Sequence, residues 1–393
     1  MSNRSPNLVA AMVSAHAPQL FTYPPDEDPL QLDATIAAMR ELGKVLDETK
    51  PDVIIFLGSD HLETFSLTCV PTFAIVAGSR ARAEFAGRSY DLPIHREMAE
   101  DMLNKLVQAN FDIAYSEDAL LGHTFAVPFE YVLAGRDIPI IPFHTNVYMP
   151  PLPSPRRCAA LGREVAKIIA ERPERIAIIA SGGMSHYPGT EKYPYPEFEF
   201  DHWLISELER GNVDALLDLT SEQLDEVGNT ELLNWATMLG AVGRVRGELM
   251  QYTPTWHHGH AVMRFLPERD EGLATQPHRG PYQFKNRGFE FYRHPRAEAY
   301  KLNKFMFDLR NDAATRRRLL HDFDALAGEY QFNAIEESAL RAAICVGELG
   351  KISDSVEPLV KAGAHPLQAL MTLHVLHGEK KKMQPEKFST GNG

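Results

Sequence analysis

Apolar residues in this chain come in short unbroken blocks, each ending at a glycine, a small polar residue or a histidine. Residues 53–57, Val-Ile-Ile-Phe-Leu, lie between Asp52 and Gly58-Ser59-Asp60-His61. A run this short and continuous, β-branched in its first half, predicts a strand buried on both faces, the pattern of a parallel sheet. The same grammar recurs where Leu8–Val13 leads to Ser14-Ala15-His16, Ile138–Phe143 to His144, and Ile176–Ala180 to Ser181-Gly182-Gly183-Met184-Ser185-His186. In open α/β sheets ligands bind beyond the carboxyl ends of the strands. These histidines therefore stand where a site would form.

Between the blocks the period changes. Leu32, Ile36, Met39, Leu42, Val45 and Leu46 recur at helical spacing, predicting an amphipathic helix that ends near Thr49 and completes a β-α-β unit. Helices are also predicted from about His95 to Asn110 and from Arg157 to Ala170. Thr64–Val76 is β-branched and aromatic, with Pro71 marking an edge or a break. Gly122–Pro128 predicts a loop that sets His123 beside a turn. Residues from Phe200 to about Met250 turn helical, with Glu231 at a helix start behind Asn229-Thr230.

From Pro267 to Arg296 periodicity is lost. Beyond it Ala297–Arg318, Leu319–Tyr330, Glu336–Val346 and Val356–His377 carry helical patterns. The expected fold is α/β, a mainly parallel or mixed central sheet flanked by helices, with a small all-α C-terminal domain. Residues 1–267 form the large domain, 268–296 a linker and 297–393 the helical domain.

Composition narrows the function. Across 393 residues, 44% are hydrophobic and 24% charged, ordinary for a packed globular chain. A net charge of −13 argues against a general nucleic-acid binder, and the run Lys380-Lys381-Lys382 reads as a solvated tail. Cys69, Cys158 and Cys345 are far apart and form no CxxC pair, which suits a reducing cytosol and excludes a cysteine zinc site. Met1-Ser2-Asn3-Arg4-Ser5-Pro6 leads to no small-residue cleavage site, and no stretch approaches the ~20 apolar residues of a membrane span. No GxGxxG follows the first strand, against a dinucleotide enzyme.

Two imidazoles and one carboxylate make a facial set for ferrous iron, leaving the opposite positions open. His16 and His61 with a later carboxylate supply one. Taken singly, each histidine reads as a structural or loop residue, and an acid at a helix start reads as a dipole partner.

Together the residues resemble a known family. Ser14-Ala15-His16-Ala17-Pro18, Gly58-Ser59-Asp60-His61, Leu121-Gly122-His123-Thr124-Phe125, Gly182-Gly183-Met184-Ser185-His186 and Asn229-Thr230-Glu231-Leu232-Leu233-Asn234-Trp235 are similar, in order, to segments of the catalytic subunit of class III extradiol dioxygenases, typified by protocatechuate 4,5-dioxygenase. The likeness covers roughly residues 7–267. The tail, from Asn303-Lys304-Phe305 through Gly363-Ala364-His365-Pro366-Leu367, resembles that enzyme's small helical subunit, fused as in gallate-dioxygenase-like enzymes.

The resemblance implies Fe(II) held by His16, His61 and Glu231, His186 as the acid/base, and His123 as a donor near substrate and oxygen. It implies a cytoplasmic enzyme, a homodimer, taking O2 and a small aromatic diol, opening the ring beside the diol, with the tail as a lid. It gives no role to His144, and His365 reads as part of a turn. Thr255, Trp256 and His257 would border the substrate. Trp256 and His257 replace smaller polar residues of the protocatechuate enzyme, so gallate, protocatechuate and a heteroaromatic diol such as 3,4-dihydroxypyridine all stay open. A zinc hydrolase or a non-enzymatic binding protein is the competing class, because the same ligands accept zinc.

Overall fold

The computed structural model describes residues 6–266, 280–285, 288–344 and 352–383. Cys345, the first part of the expected linker (268–279) and the N-terminal Met1–Ser5 lie outside the described residues, as do the side chains of Lys380–Lys382. The chain divides into two compact units. One comprises the described residues through Tyr292 apart from Ser66–Thr68 and Pro188–Thr190, which group with the second, from Arg293 onward.

The first unit is built on an eight-stranded sheet, in chain order β1 (Leu8–Ser14), β2 (Val53–Asp60), β3 (Phe73–Val76), β6 (Ile113–Ser116), β8 (Ile140–Asn146), β9 (Ile176–Ser181), β10 (Glu248–Pro254) and β11 (Gly259–Phe265). Their spatial order is β10-β11-β1-β9-β2-β8-β3-β6. The middle strands β1, β9, β2 and β8 are parallel neighbours and are buried along their whole length, which is why each reads as an unbroken apolar block. The antiparallel β10–β11 hairpin pairs with β1 at one side, and β3 runs antiparallel to β8 at the other, so the sheet is mixed.

Helix Pro29–Thr49 ends where expected and starts three residues ahead of Leu32, because the Asp28 carboxylate accepts the N–H of Leu30 and a proline takes the first helical position. Leu32, Ile36, Met39, Leu42, Val45 and Leu46 are all buried. Helix Pro155–Ala170 is capped by Ser154 in the same way. It crosses the wholly buried helix Leu232–Val242 at very close range through glycines. A Cβ at Gly162 would lie 1.9 Å from the Thr237 carbonyl oxygen, and one at Gly240 would lie 2.2 Å from that of Ala159.

Several elements differ from the sequence expectation. The helical stretch does not run to Met250. It breaks into Phe198–Glu209, Asp214–Leu217, Ser221–Glu226 and Leu232–Val242, and Glu248 already belongs to the edge hairpin. Of Thr64–Val76, only Phe73–Val76 is strand. A three-stranded sheet of β4 (Arg80–Phe85), β5 (Arg88–Pro93) and β7 (Leu120–Leu121) was not foreseen; β4 and β5 are half exposed and polar, so they carry no apolar block. His144 lies inside β8, and His123 opens a short helix, His123–Pro128.

Part of the expected linker belongs to the first unit: Trp203 Nε1 donates to the Gly280 carbonyl, and Phe200 is met edge-on by Tyr282 and at a tilt by Phe284. The second unit is helical, as expected, with helices Tyr300–Asn311, Ala313–His321, Phe323–Tyr330, Ala334–Ile344, Ile352–Ala362 and Pro366–Met383. The helix expected over 297–318 is split by Asp312, whose side chain accepts the N–H of Ala314 and Thr315 and so starts a new helix. His365 sits in the turn before Pro366, its N–H on Asn303 Oδ1 at 2.8 Å.

Candidate functional site

The parallel register levels the strand ends. Ser14 pairs with Ser181 and Asp60 with Asn146, so His16, His61 and the loop 182–187 leave the sheet side by side. Local bonds aim each one. The Asp60 carboxylate gathers the N–H groups of Glu63, Thr64 and Phe65, turning the chain sharply just after His61. His186 N–H donates to the Gly228 carbonyl at 3.0 Å, and Ser185 Oγ to that of Val227 at 2.7 Å, tying the loop to the turn before Glu231. Asn234, one helical turn after Glu231, donates to Ser59 Oγ (2.9 Å) and the Ser181 carbonyl (3.0 Å), pinning that helix start to β2 and β9.

Six side chains therefore meet. Glu231, fully buried, places Oε1 3.2 Å from His16 Nε2, 2.8 Å from His61 Nε2 and 3.8 Å from His186 Nε2. Its Oε2 accepts the Gly183 N–H at 2.5 Å. Tyr148 OH donates to Oε1 at 2.8 Å and lies 3.2 Å from His186 Nε2. The His123 ring packs 4.3 Å from that of His61, with Nδ1 3.3 Å from Glu63 Oε1. Ring nitrogens of His16, His61 and His123 lie within 4.8 Å of one another.

Electrostatics favour the uncharged form of His61, His123 and His186 and the ionised form of Glu231. Burial, reinforced by His123, pushes His61 down to about 4 against the pull of Glu231. Burial likewise pushes His186 down to about 4, and lowers His123 despite Glu63. Burial would raise Glu231, but His16, His61 and His186 together hold its carboxyl well below the ordinary range.

Two tautomers follow from the bonds. Ser181 Oγ gives its proton to the Thr124 carbonyl at 2.7 Å, so at 2.9 Å it accepts from His16 Nδ1–H. With its single proton on Nδ1, the His16 ring turns a bare Nε2 lone pair toward a carboxylate oxygen. Two acceptors at 3.2 Å repel unless a proton or a cation sits between them. His186 Nδ1 donates to the Met184 carbonyl at 2.7 Å, which also leaves its Nε2 bare. Among the described residues no lysine or arginine pairs with Glu231. Deprotonated imidazoles around an ionised, buried carboxylate fit a divalent metal, which supplies the missing positive charge.

The remaining expected residues fall nearby. Thr255 spends its N–H and hydroxyl on the His258 carbonyl, forming a tight turn. His257 is buried and faces Glu27, Nε2 to Oε1 2.5 Å. Trp256 is 43% exposed, its ring against Tyr193 and His257. His144 packs among Phe65 and Phe125 and, pushed by burial to about 4, makes no bond to the cluster.

Sequence reading missed Tyr148 and Asp201, and it places His258 only within the 255–260 run expected to border the substrate, with no role of its own. His258 lies in the His257-His258-Gly259-His260 run and stacks on His186. Tyr148 follows the end of β8 closely, a position that the strand-end rule could have flagged. Asp201 carries no signal, lying inside an ordinary amphipathic helix. It is fully buried and joins two loops to strand β10, accepting from Ser185 N–H (3.1 Å), Asn229 Nδ2 (3.1 Å) and Tyr252 OH (2.8 Å).

A 2,3-dihydroxyphenylpropionate/2,3-dihydroxicinnamic acid 1,2-dioxygenase of Klebsiella pneumoniae (strain 342) is 28% identical over 184 residues, 47% of this chain and 56% of that protein. The protein of the same name from Escherichia coli (strain K12 / DH10B) is 28% identical over 185 residues, again 47% and 56%. The chain thus spans about half the length of the curated relatives it matches. Among solved structures, an uncharacterized protein of Escherichia coli K12 aligns with a TM-score of 0.47 and 17% identity, over 65% of this chain and 99% of that one. The family described as the catalytic LigB subunit of aromatic ring-opening dioxygenase matches residues 10–263, which hold every member of the histidine and glutamate cluster, and the chain belongs to that family.

Proposed function

We propose that the protein is an Fe(II)-dependent extradiol dioxygenase that opens the ring of a catecholic aromatic acid, of gallate or protocatechuate type, in a cytoplasmic catabolic route and as a homodimer. The observation that carries the reading is the approach of one buried carboxylate oxygen of Glu231 to Nε2 of both His16 and His61, with the bare Nε2 of His186 3.8 Å away. The relatives named above, which act on 2,3-dihydroxylated phenylpropionate, support the substrate class.

His16, His61 and Glu231 would hold the metal. We prefer this set to the three-histidine alternative because His123 directs Nδ1 toward Glu63, whereas Glu231 faces both other rings. When bound, iron(II) supplies Lewis acidity toward the two vicinal oxygens of the diol and a path for electron density from ring to dioxygen.

The chain's own residues do the rest. His186, bare at Nε2, takes a proton from a substrate hydroxyl and later returns it as the ring opens, while the Met184 carbonyl holds its tautomer. Tyr148 donates to Glu231 and keeps that carboxylate oriented. His123, kept neutral by burial, offers a nitrogen beside His61 for the oxygen-side chemistry. Thr255, Trp256 and His257 border the substrate.

A second substrate reading rests on His257. Paired with Glu27, it presents no net positive charge to a carboxylate, which favours a neutral heteroaromatic diol such as 3,4-dihydroxypyridine.

The test is oxygen uptake by protein loaded anaerobically with Fe(II), with product absorbance followed for gallate, protocatechuate, 2,3-dihydroxyphenylpropionate, catechol and 3,4-dihydroxypyridine. One O2 consumed per ring opened, absent from the zinc-loaded control, supports the reading and selects the substrate. Turnover of none at full iron occupancy, or a hydrolytic activity of the zinc form, would overturn it.

A further inference from the structure

Residues beyond 263, where the family match ends, also reach the cluster. Asp225, on the short helix Ser221–Glu226, is buried and accepts three consecutive backbone N–H groups, from Glu290 (2.6 Å), Phe291 (3.0 Å) and Tyr292 (3.2 Å). The neighbouring Glu226 accepts the N–H of Lys285 at 2.6 Å. A segment whose described residues have neither helix nor strand bonding of their own thus has its backbone donors collected by two adjacent acids.

The tether delivers two rings. Phe291 packs edge-on against Tyr187, the residue after His186, with centroids 4.7 Å apart. Tyr292 is 1% exposed and packs edge-on against Tyr148, centroids 5.0 Å apart and planes at 79°. Tyr148 has the His61 ring 5.1 Å away as a further neighbour, and its hydroxyl reaches both Glu231 and His186. A continuous line of contact therefore runs from Asp225 through Tyr292 and Tyr148 to the carboxylate.

We propose that residues 288–292 are part of the active site, with Tyr292 a positioning residue whose ring holds the Tyr148 hydroxyl against Glu231 and His186. The proposal rests on Glu231 being a metal ligand. Without the Tyr292 ring, the wall beside Tyr148 is lost, the phenol gains rotational freedom, and Glu231 loses the donor that orients it. Partners of metal ligands of this kind typically change metal affinity by about 10- to 100-fold when removed. A bland role for Tyr292, filling core space alone, would lower stability and leave the metal untouched.

The experiment measures zinc(II) affinity of the metal-free full chain by calorimetry, without substrate or oxygen, beside the melting temperature. Tyr292→Ala and Tyr148→Phe are each expected to weaken zinc binding about tenfold, and the double variant no more than the weaker single, because both act on one hydrogen bond. Tyr292→Phe, which keeps the ring, should bind as the parent does. Phe73→Leu, a core change on β3, should lower the melting temperature and leave the affinity unchanged. Should Tyr292→Ala not fold, Tyr292→Leu carries the same comparison.

Parent-like affinity in Tyr292→Ala, additive losses in the double variant, or a full loss in Tyr292→Phe would each overturn the proposal. Glu231→Gln separates the premise: if it binds zinc normally, the metal-site reading itself fails. An intact zinc pattern without oxygen uptake would leave the positioning role standing and sink only the dioxygenase reading.

Discussion

The ring of His258 lies flat on that of His186, centroids 3.9 Å apart and planes within 5°. Burial holds His186 at about 4 and His258 well below its ordinary value, so two neutral rings stack without charge repulsion. The stack leaves no room behind it. A Cβ on Gly183 would sit 2.1 Å from His258 Nε2 and 3.3 Å from Glu231 Oε2.

Gly183→Ala is therefore expected to push His258 off His186 and disturb Glu231, costing roughly 1–3 kcal/mol of stability by overpacking and at least about tenfold in kcat/KM. Thermal melts and steady-state kinetics check it. Parent-like kinetics would show that the stack plays no part in the site.

Ligands and base should separate under mutation. His61→Ala is expected to lose the metal, and His186→Ala to keep it while kcat falls by about 10²–10⁴, the usual worth of a general acid/base. Metal stoichiometry by plasma emission spectrometry, read beside turnover, decides. Loss of metal from His186→Ala would mean that the two roles have been assigned wrongly.

Ser181 fixes the His16 tautomer by accepting from Nδ1 at 2.9 Å. Ser181→Ala removes that acceptor and lets the proton move to Nε2, where it would block a metal. The expected result is about 10- to 100-fold weaker metal binding with an unchanged fold, measured by competition with a chromophoric chelator. Unchanged affinity would leave the tautomer set by something else.

Asp201 gives a pH signature. Burial, against hydrogen bonds from Tyr252, Asn229 and Ser185, raises its carboxyl from 3.8 to about 7. Between those values the folded chain holds a proton that the unfolded chain releases, so this group's contribution is full below about pH 4 and lost as pH rises through about 7. Asp201→Asn cannot ionise. In metal-free protein the melting temperature of the variant, relative to the parent, should climb across that window; a flat difference would refute the assignment.

The same buried apolar blocks that make β1, β2, β8 and β9 also made them legible, since a strand covered on both faces admits no polar alternation. The residues just beyond their ends, His16, His61 and His186, could be named for that reason. Only the first residues of β10, up to about Met250, fall within the stretch expected as helix, because that outer strand is half exposed and mixes polar with apolar residues, leaving no clear period of two. Segment 288–292 has no period at all. Its order comes from a carboxylate more than sixty positions earlier in the chain.

By itself, then, the sequence determined the alternation of elements, the strand ends and the identity of the chemical groups, because burial and backbone geometry are local constraints that leave a periodic trace. Only the tertiary structure decided which groups meet. Glu231 Oε1 lies 2.8 Å from a histidine 170 residues away because β2 and β9 share a register and Asn234 ties both to one helix start. Tyr148, His258, Asp201 and Tyr292 join the site through hydrogen bonds and ring contacts across the fold, and such contacts depend on distances in space that no spacing along the chain encodes.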